Sequence, residues 1–82
     1  MRKEEIINRL QIIFRDIFDD EDIILADDTN SDQIEDWDSL AQIRLVVAIE
    51  KNFGIKFAFG ELTHLKNVGG MIECIQNKLS LS

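Results

Sequence analysis

The sequence predicts an all-α domain, and three observations support that prediction. Apolar residues recur at helical spacing near both ends of the chain. A third apolar stretch, residues 39–53, is followed by Gly54, and glycine commonly terminates helices. No segment alternates polar and apolar residues over the length of a strand. We therefore predict a small four-helix bundle of three main helices and one short helix, with a long acidic loop between the first and second helices.

The first helix is predicted over residues 3–18. Its apolar residues follow the i, i+3, i+4, i+7 rule and form one stripe. They are Ile6, Ile7, Leu10, Ile13, Phe14, Ile17 and Phe18. The acidic stretch that follows, residues 19–34, is rich in side chains that favour turns over helix interiors. Because connections of this length are uncommon in compact domains and often functional, we expect an ordered loop, with a short helical turn near residues 31–34.

The second helix is predicted over residues 39–53, ending before Gly54. Residues 60–65 are expected to form the short helix. The last helix begins near Asn67, a plausible N-cap, although two glycines weaken its first turn. Its apolar residues again form one stripe: Val68, Met71, Ile72, Ile75 and Leu79.

Length and composition predict one domain over residues 1–82, and 45% hydrophobic residues argue against disorder. Cys74 is the only cysteine, so neither an intramolecular disulfide nor a cysteine metal cluster can form. A lone thiol fits a reducing compartment. Neither a signal peptide nor a membrane-spanning apolar run is recognisable. We therefore expect a cytoplasmic protein, and a monomer.

The start of the second helix carries the most chemistry. Asp38 can cap the helix, which puts the Ser39 hydroxyl at its first position, where backbone N–H groups and the macrodipole favour an anion. A phosphate ester on Ser39 would lie in a favourable field. The alternative is that both residues only cap the helix.

The second helix is apolar on two sides. Leu45, Val46, Ile49 and Phe53 form a face that we assign to the core. A second face carries three apolar residues bordered by charged ones, and a domain of this size cannot easily bury both. We therefore predict a partner-docking surface made of Leu40, Ile43, Arg44, Val47, Glu50 and Lys51.

Several function classes are disfavoured. The net charge of −7 makes nucleic acid a poor partner, because affinity for it rests on cations that neutralise phosphates. The only histidine, His64, lacks a catalytic constellation around it, and Gly69-Gly70 lacks the lysine and spacing of a phosphate loop. We expect that the chain is not an enzyme, and that any chemistry at Ser39 is performed by another protein.

A calcium loop is also weighed and rejected. Asp28, Asn30, Asp32 and Asp36 have EF-hand spacing, but Gln33 stands at the glycine position. A serine, residue 39, replaces the bidentate glutamate of that loop. We therefore expect no metal site.

The sequence resembles the acyl carrier protein family. The tripeptide Asp38-Ser39-Leu40 is followed by "IRLVVAIEKNFGI" and later by "NVGGMIECI", so the resemblance covers nearly the whole chain. It implies a four-helix bundle whose serine carries 4′-phosphopantetheine, attached from coenzyme A by a phosphopantetheinyl transferase. It further implies that Asp38 helps the transferase hold its metal ion, that Leu40, Ile43 and Val47 dock partners, and that acyl-loading, acyl-transferring and condensing enzymes are those partners.

This sequence departs from the family's fatty-acid-synthesis members. Arg44 and Lys51 stand on a helix that is often strongly acidic there, and Trp37 precedes the motif. These departures favour a specialised stand-alone carrier in fatty acid, polyketide or related biosynthesis. An aminoacyl or peptidyl carrier and an unmodified helical adaptor remain as alternatives.

Two further side chains have two interpretations each. Trp37 either covers the core or offers a surface to the arm and its acyl chain. Cys74 is expected to be a small half-buried apolar residue more than a reactive thiol. Phe57 and Phe59 are expected in the core.

Overall fold

The computed structural model describes residues 2–58, 60–62 and 65–81, and this part of the chain contains three α-helices and no strand. The helices are α1 (Lys3–Ile17), α2 (Ser39–Phe53) and α3 (Val68–Leu81). A single antiparallel bridge joins Asn30 to Asn67. The helix α1 contacts both α2 and α3. The prediction of an all-α domain with three main helices is confirmed.

The first helix packs through its predicted stripe. Its buried residues are Ile6, Leu10, Ile13 and Phe14. It ends one residue earlier than predicted, because the chain reverses at Asp19, which adopts a positive φ of 50°. None of the helices in the described ranges is long and apolar enough to cross a membrane.

The connection between α1 and α2 is tied back onto α1. The Leu25 backbone N–H donates to Gln11 Oε1 at 3.0 Å, and Arg15 Nε donates to the Ile23 carbonyl at 2.8 Å. In place of the predicted helical turn near residues 31–34, a hydrogen-bonded turn is observed. The side chain of Asn30 accepts from the Asp32 N–H at 2.9 Å and so competes with helical bonding.

The second helix matches its predicted bounds. Gly54, its C-cap, lies in the left-handed region at φ 66°, ψ 37°, which favours glycine, and its N–H donates to the Glu50 carbonyl. Of the predicted core face, Leu45, Ile49 and Phe53 are buried. Val46 is only half-buried and packs against the core from its edge.

The third helix begins where predicted. Asn67 Oδ1 accepts from the Gly70 N–H at 2.7 Å, as an N-cap does. The weak glycine-rich start has a packing reason, because a Cβ at Gly69 would lie 2.8 Å from the Asp27 carbonyl oxygen. The short helix predicted over 60–65 is not confirmed: Gly60, Glu61 and Leu62 form a turn, and positions 63 and 64 lie outside the described residues, as does Phe59.

Candidate functional site

The start of α2 is capped as the sequence predicted. Asp38 has an extended backbone, and its Oδ1 accepts from the Ala41 N–H at 2.8 Å. Its carbonyl accepts from the Gln42 N–H at 2.9 Å, which is the first bond of the helix. The two residues between Asp38 and Ala41 are Ser39 and Leu40, and the backbone N–H of neither donates to any described residue.

Ser39 is exposed at this open helix start. Its hydroxyl, two unbonded backbone N–H groups and the positive end of the helix dipole lie together, a set of donors that suits a phosphate diester. Asp38 holds this start in place without occupying those donors. The chemistry of this donor set therefore fits a phosphate group bonded to Ser39.

Trp37 lies beneath this start. Only 4% of its surface is exposed, and its indole ring meets the Phe14 ring edge-on, with centroids 5.0 Å apart at 83°. Its Nε1 donates to Gln42 Oε1 at 2.6 Å. This burial supports the interpretation of Trp37 as a cover on the core. Its contact with a prosthetic arm stays a prediction.

Gln42 was not among the site residues predicted from the sequence. Its side chain is fully buried, and its Nε2 donates to the carbonyls of Leu62 at 2.6 Å and Leu65 at 3.0 Å. A signal was present, because position 42 lies one turn before Leu45 on the core stripe, where a polar residue implies a buried hydrogen-bonded group. The structure thus joins Trp37, α2 and the segment before α3 through one amide.

The predicted docking residues are largely exposed. Leu40, Ile43 and Val47 are 60%, 54% and 45% exposed, which is unusual for three large apolar side chains on one helix face. Arg44 and Lys51 are exposed beside them. Glu50 differs, because its Oε2 accepts from the Phe57 N–H at 2.9 Å and therefore already has an internal role. Docking through this face stays a prediction.

A groove of about 270 Å³ runs along this face, and we call it the α2 groove. One side is α2, contributing Ile43, Val46, Val47 and Glu50. The opposite side, which we call the wall, consists of Phe57, Ala58, Gly60 and Leu62. Its lining is mostly apolar, so it can accept an apolar chain.

A second groove, of about 220 Å³, lies on the other side of the helix start. Ile17, Phe18 and Leu40 contribute apolar lining, while Asp36 and Arg44 contribute charge. Its mixed character distinguishes it from the α2 groove, although both lie close to Ser39.

Two titratable groups near the wall have shifted pKa values. The Ala58 N–H and then the Lys78 ammonium, 3.0 Å away, hold the pKa of the Glu61 carboxyl below its usual range. Burial, then the charges of Glu61 and Glu73, raise the pKa of the Cys74 thiol. At neutral pH this thiol is therefore protonated and a poor nucleophile, in line with the expected apolar role.

No group of three or more His, Cys, Asp or Glu side chains that could hold a metal ion occurs in the described part of the chain. Within the rejected calcium loop, the side-chain oxygen of Asn30 accepts a hydrogen bond from the Asp32 N–H. The absence of a protein-held metal stays a prediction.

Comparison with known proteins places this geometry in context. Residues 8–75 match the model of the family described as "Phosphopantetheine attachment site". The chain is 30% identical over 82 residues to an acyl carrier protein of Petrotoga mobilis, covering 99% of this chain and 95% of that one. It is also 30% identical over 71 residues to polyketide-8 synthase acyl carrier protein 2 of Streptomyces avermitilis, covering 87% and 82%.

A solved structure is similar as well. The solution structure of a holo acyl carrier protein from Geobacter metallireducens matches with a TM-score of 0.82 and 43% identity. The match covers 92% of this chain and 86% of that one. Fold and sequence therefore agree on the same family.

Proposed function

Since this chain belongs to the acyl carrier protein family, whose prosthetic group is a covalently attached 4′-phosphopantetheine, we propose that Ser39 is the attachment site. The observation that carries this proposal is the open start of α2, where an exposed serine stands beside two backbone N–H groups without a described partner. The protein acts as a carrier, and catalysis belongs to the enzymes that load and unload it.

Attachment is a phosphoryl transfer from coenzyme A. The Ser39 hydroxyl oxygen forms a bond to the phosphorus that bears pantetheine, the bond from that phosphorus to the bridging pyrophosphate oxygen breaks, and adenosine 3′,5′-bisphosphate leaves. The hydroxyl proton passes to a base of the transferase. The N–H groups of Ser39 and Leu40 then face the diester charge. Asp38 caps the helix through Oδ1, and its carboxylate would help to hold the transferase's metal ion.

Bound phosphopantetheine supplies a thiol that carries an acyl group as a thioester. The chain's own contribution is to shelter that group and to present it. The α2 groove suits an apolar acyl chain, because Ile43, Val46 and Val47 line it close to Ser39. The exposed surface of α2 suits partner enzymes, with apolar anchors at its centre and charges at its rim.

We further propose a specialised pathway. Arg44 lies five residues beyond Ser39, and together with Lys51 it places positive charge on a surface otherwise bordered by Asp36, Asp38 and Glu50. Rim charges discriminate between partners more than they add affinity. The cognate partners therefore differ from those of an all-acidic carrier, in fatty acid, polyketide or related biosynthesis. A reducing compartment such as the cytoplasm suits the one thiol of the chain.

An aminoacyl or peptidyl carrier is the second candidate, favoured by the tryptophan that precedes the attachment motif, Trp37. Mass spectrometry of protein from its native host separates the two, because the thioester-bound group is released and weighed. A third candidate, an unmodified adaptor, predicts no added mass at all.

The direct test is transfer from coenzyme A. Incubation of the apo protein with coenzyme A, magnesium and a broad-specificity transferase should add one phosphopantetheine, mapped by digestion to Ser39. The Ser39→Ala variant should gain nothing while keeping its helical circular dichroism, since Asp38 still caps α2. Ser31→Ala is the matched control and should load as the wild type does. Modification at any other residue would refute the assignment.

A further inference from the structure

Gln42 joins three separate parts of the molecule through one buried amide. Its Oε1 accepts from Trp37 Nε1, and its Nε2 donates to the carbonyls of Leu62 and Leu65. Both of its N–H donors are thus used. Among the described residues, no buried side-chain nitrogen or oxygen is left without a partner. The network is therefore complete, and losing any of its bonds would leave a buried polar group unpaired.

One end of this network holds the wall of the α2 groove. Leu62 belongs to the wall, and its carbonyl accepts from the buried amide of Gln42, a residue of α2. The other end of the wall is held by Glu50, which accepts from the Phe57 N–H. Both ends of the wall are therefore tied to α2. A chain that entered the groove would contact Leu62. A displacement of Leu62 would then move or stretch the hydrogen bond between its carbonyl and the Gln42 amide.

The other end of the network reaches the attachment site. Trp37 is one residue before the cap Asp38 and two before Ser39. The indole packs on Phe14 and cannot shift freely, because interiors are closely packed. A movement of the Gln42 amide would therefore change the hydrogen bond from Trp37, which directly precedes the cap Asp38.

We propose that Gln42 is a positioning residue that couples occupancy of the α2 groove to the loop before Ser39. When an acyl chain lies in the groove, the wall moves, the amide follows its two carbonyl partners, and the bond from Trp37 changes. The state of the cargo is thereby transmitted to the surface that partner enzymes meet. This inference rests on the proposed function for the identity of the occupant, and its test does not depend on the transferase.

The single tryptophan makes the coupling measurable. The Trp37 indole N–H gives one resonance in a ¹⁵N–¹H correlation spectrum. A chain can be attached without the transferase in a Ser39→Cys variant with Cys74→Ala, as a mixed disulfide of dodecanethiol or, for comparison, of methanethiol. At about 1.5 Å of rise per residue, Ile43 lies roughly 6 Å and Val47 roughly 12 Å along the helix from position 39, within reach of the dodecyl chain.

With the dodecyl chain, the methyl resonances of Val46 and Val47 should shift relative to the methyl disulfide, and so should the Trp37 indole resonance. Gln42→Met, which retains an unbranched side chain without the amide, should lose the indole shift and keep the valine shifts. Gln11→Met is the matched control. It removes a glutamine that also bonds the loop, through the Leu25 N–H, but does not touch the groove, so the indole shift should persist.

Three results would overturn the proposal. In the first, the Trp37 indole resonance does not shift in the protein that retains Gln42, although the valine methyl resonances do. This result does not require the Gln42→Met variant to fold. The indole shift is the same in Gln42→Met. Neither the valines nor the indole shift, which would mean that the groove takes no chain. Failure of Ser39 to gain phosphopantetheine is a separate result, read by mass on the unsubstituted protein, and it concerns the proposed function alone.

Discussion

The helices α2 and α3 begin with the same type of side-chain cap but differ in whether their first backbone N–H groups are hydrogen-bonded. Asp38 accepts from the N–H three residues on at 2.8 Å, and Asn67 does the same at 2.7 Å. In α3, however, the next two N–H groups are already bonded: that of Val68 to the Thr29 carbonyl at 2.8 Å, and that of Gly69 to Asp27 at 3.0 Å.

In α2 the equivalent N–H groups, those of Ser39 and Leu40, donate to no described residue. This difference shows that a capping side chain is not sufficient to make a helix start an anion site. What matters is whether the first N–H groups remain available after the rest of the chain has packed. The start of α3 therefore holds the loop, whereas the start of α2 keeps two N–H groups without a described partner.

The largest expected effect separates the second helical positions, Gly69 in α3 and Leu40 in α2. Gly69→Ala would force a Cβ to within 2.8 Å of the Asp27 carbonyl oxygen, and it should lower the free energy of unfolding by about 1–3 kcal/mol. Leu40→Ala changes an exposed residue and should alter it by less than about 0.5 kcal/mol. Urea denaturation followed by circular dichroism measures both. Equal losses would contradict the idea that only the start of α3 is packed.

The two caps can be compared directly. Asp38→Ala and Asn67→Ala should each cost about 1 kcal/mol of stability, because each removes a side chain that accepts from a helix N–H. Only the first should slow transfer from coenzyme A.

Asp38→Asn separates the capping role of this side chain from its charge, since asparagine still caps a helix but is neutral. It should leave stability nearly unchanged and slow phosphopantetheine transfer by about tenfold or more, as loss of a metal-orienting carboxylate does. The rate is read by intact mass over time. A normal rate would show that the carboxylate serves only as a cap.

Charge beside the open helix start should matter more than the same charge elsewhere. Arg44→Glu should raise turnover with enzymes that read an all-acidic second helix by about two- to fivefold, the scale of an exposed ion pair, and lower it with the cognate partner. Arg2→Glu, at the start of α1, makes the same change of charge at an exposed position outside the predicted docking surface. Malonyl loading is measured at low and physiological salt. Equal responses at the two positions would count against a docking role for Arg44.

The smallest effect concerns pH and the wall. The pKa of Glu61 is depressed, first by the Ala58 N–H and then by Lys78, so its stabilising contribution is fully present above the ordinary glutamate pKa of about 4.3 and is lost as pH falls through the lower folded value. The Ala58 N–H donates to Glu61 Oε1 at 2.8 Å. Amide exchange at Ala58 should therefore quicken on acidification relative to exchange at Gln33, whose N–H donates to a backbone carbonyl, after correction for intrinsic rates. Glu61→Gln should remove this difference.

Much of the fold could be predicted from sequence, for particular reasons. The stripe of α1, the bounds of α2 and the cap Asn67 all follow from local rules of periodicity and backbone bonding. The short helix over 60–65 was not confirmed, because the described part of that segment is held by bonds to Gln42 and Lys78, which lie elsewhere in the chain.

The candidate site divides in the same way. Asp38, Ser39 and the exposed apolar residues of α2 were found from sequence, because a cap and a second apolar face are written in neighbouring positions. Gln42 was missed, since its partners are 5, 20 and 23 residues away. A buried polar residue gains its meaning only from partners that folding brings to it.

The sequence by itself therefore determined the helices, their caps, the position of the serine and the family, because each of these depends on residues within a few positions or on a pattern along the chain. Tertiary packing settles which helix start stays open, that Trp37 is buried and how the wall is tied to α2. Those outcomes depend on which distant carbonyls and side chains meet each N–H group once the core has packed, and no local pattern specifies them.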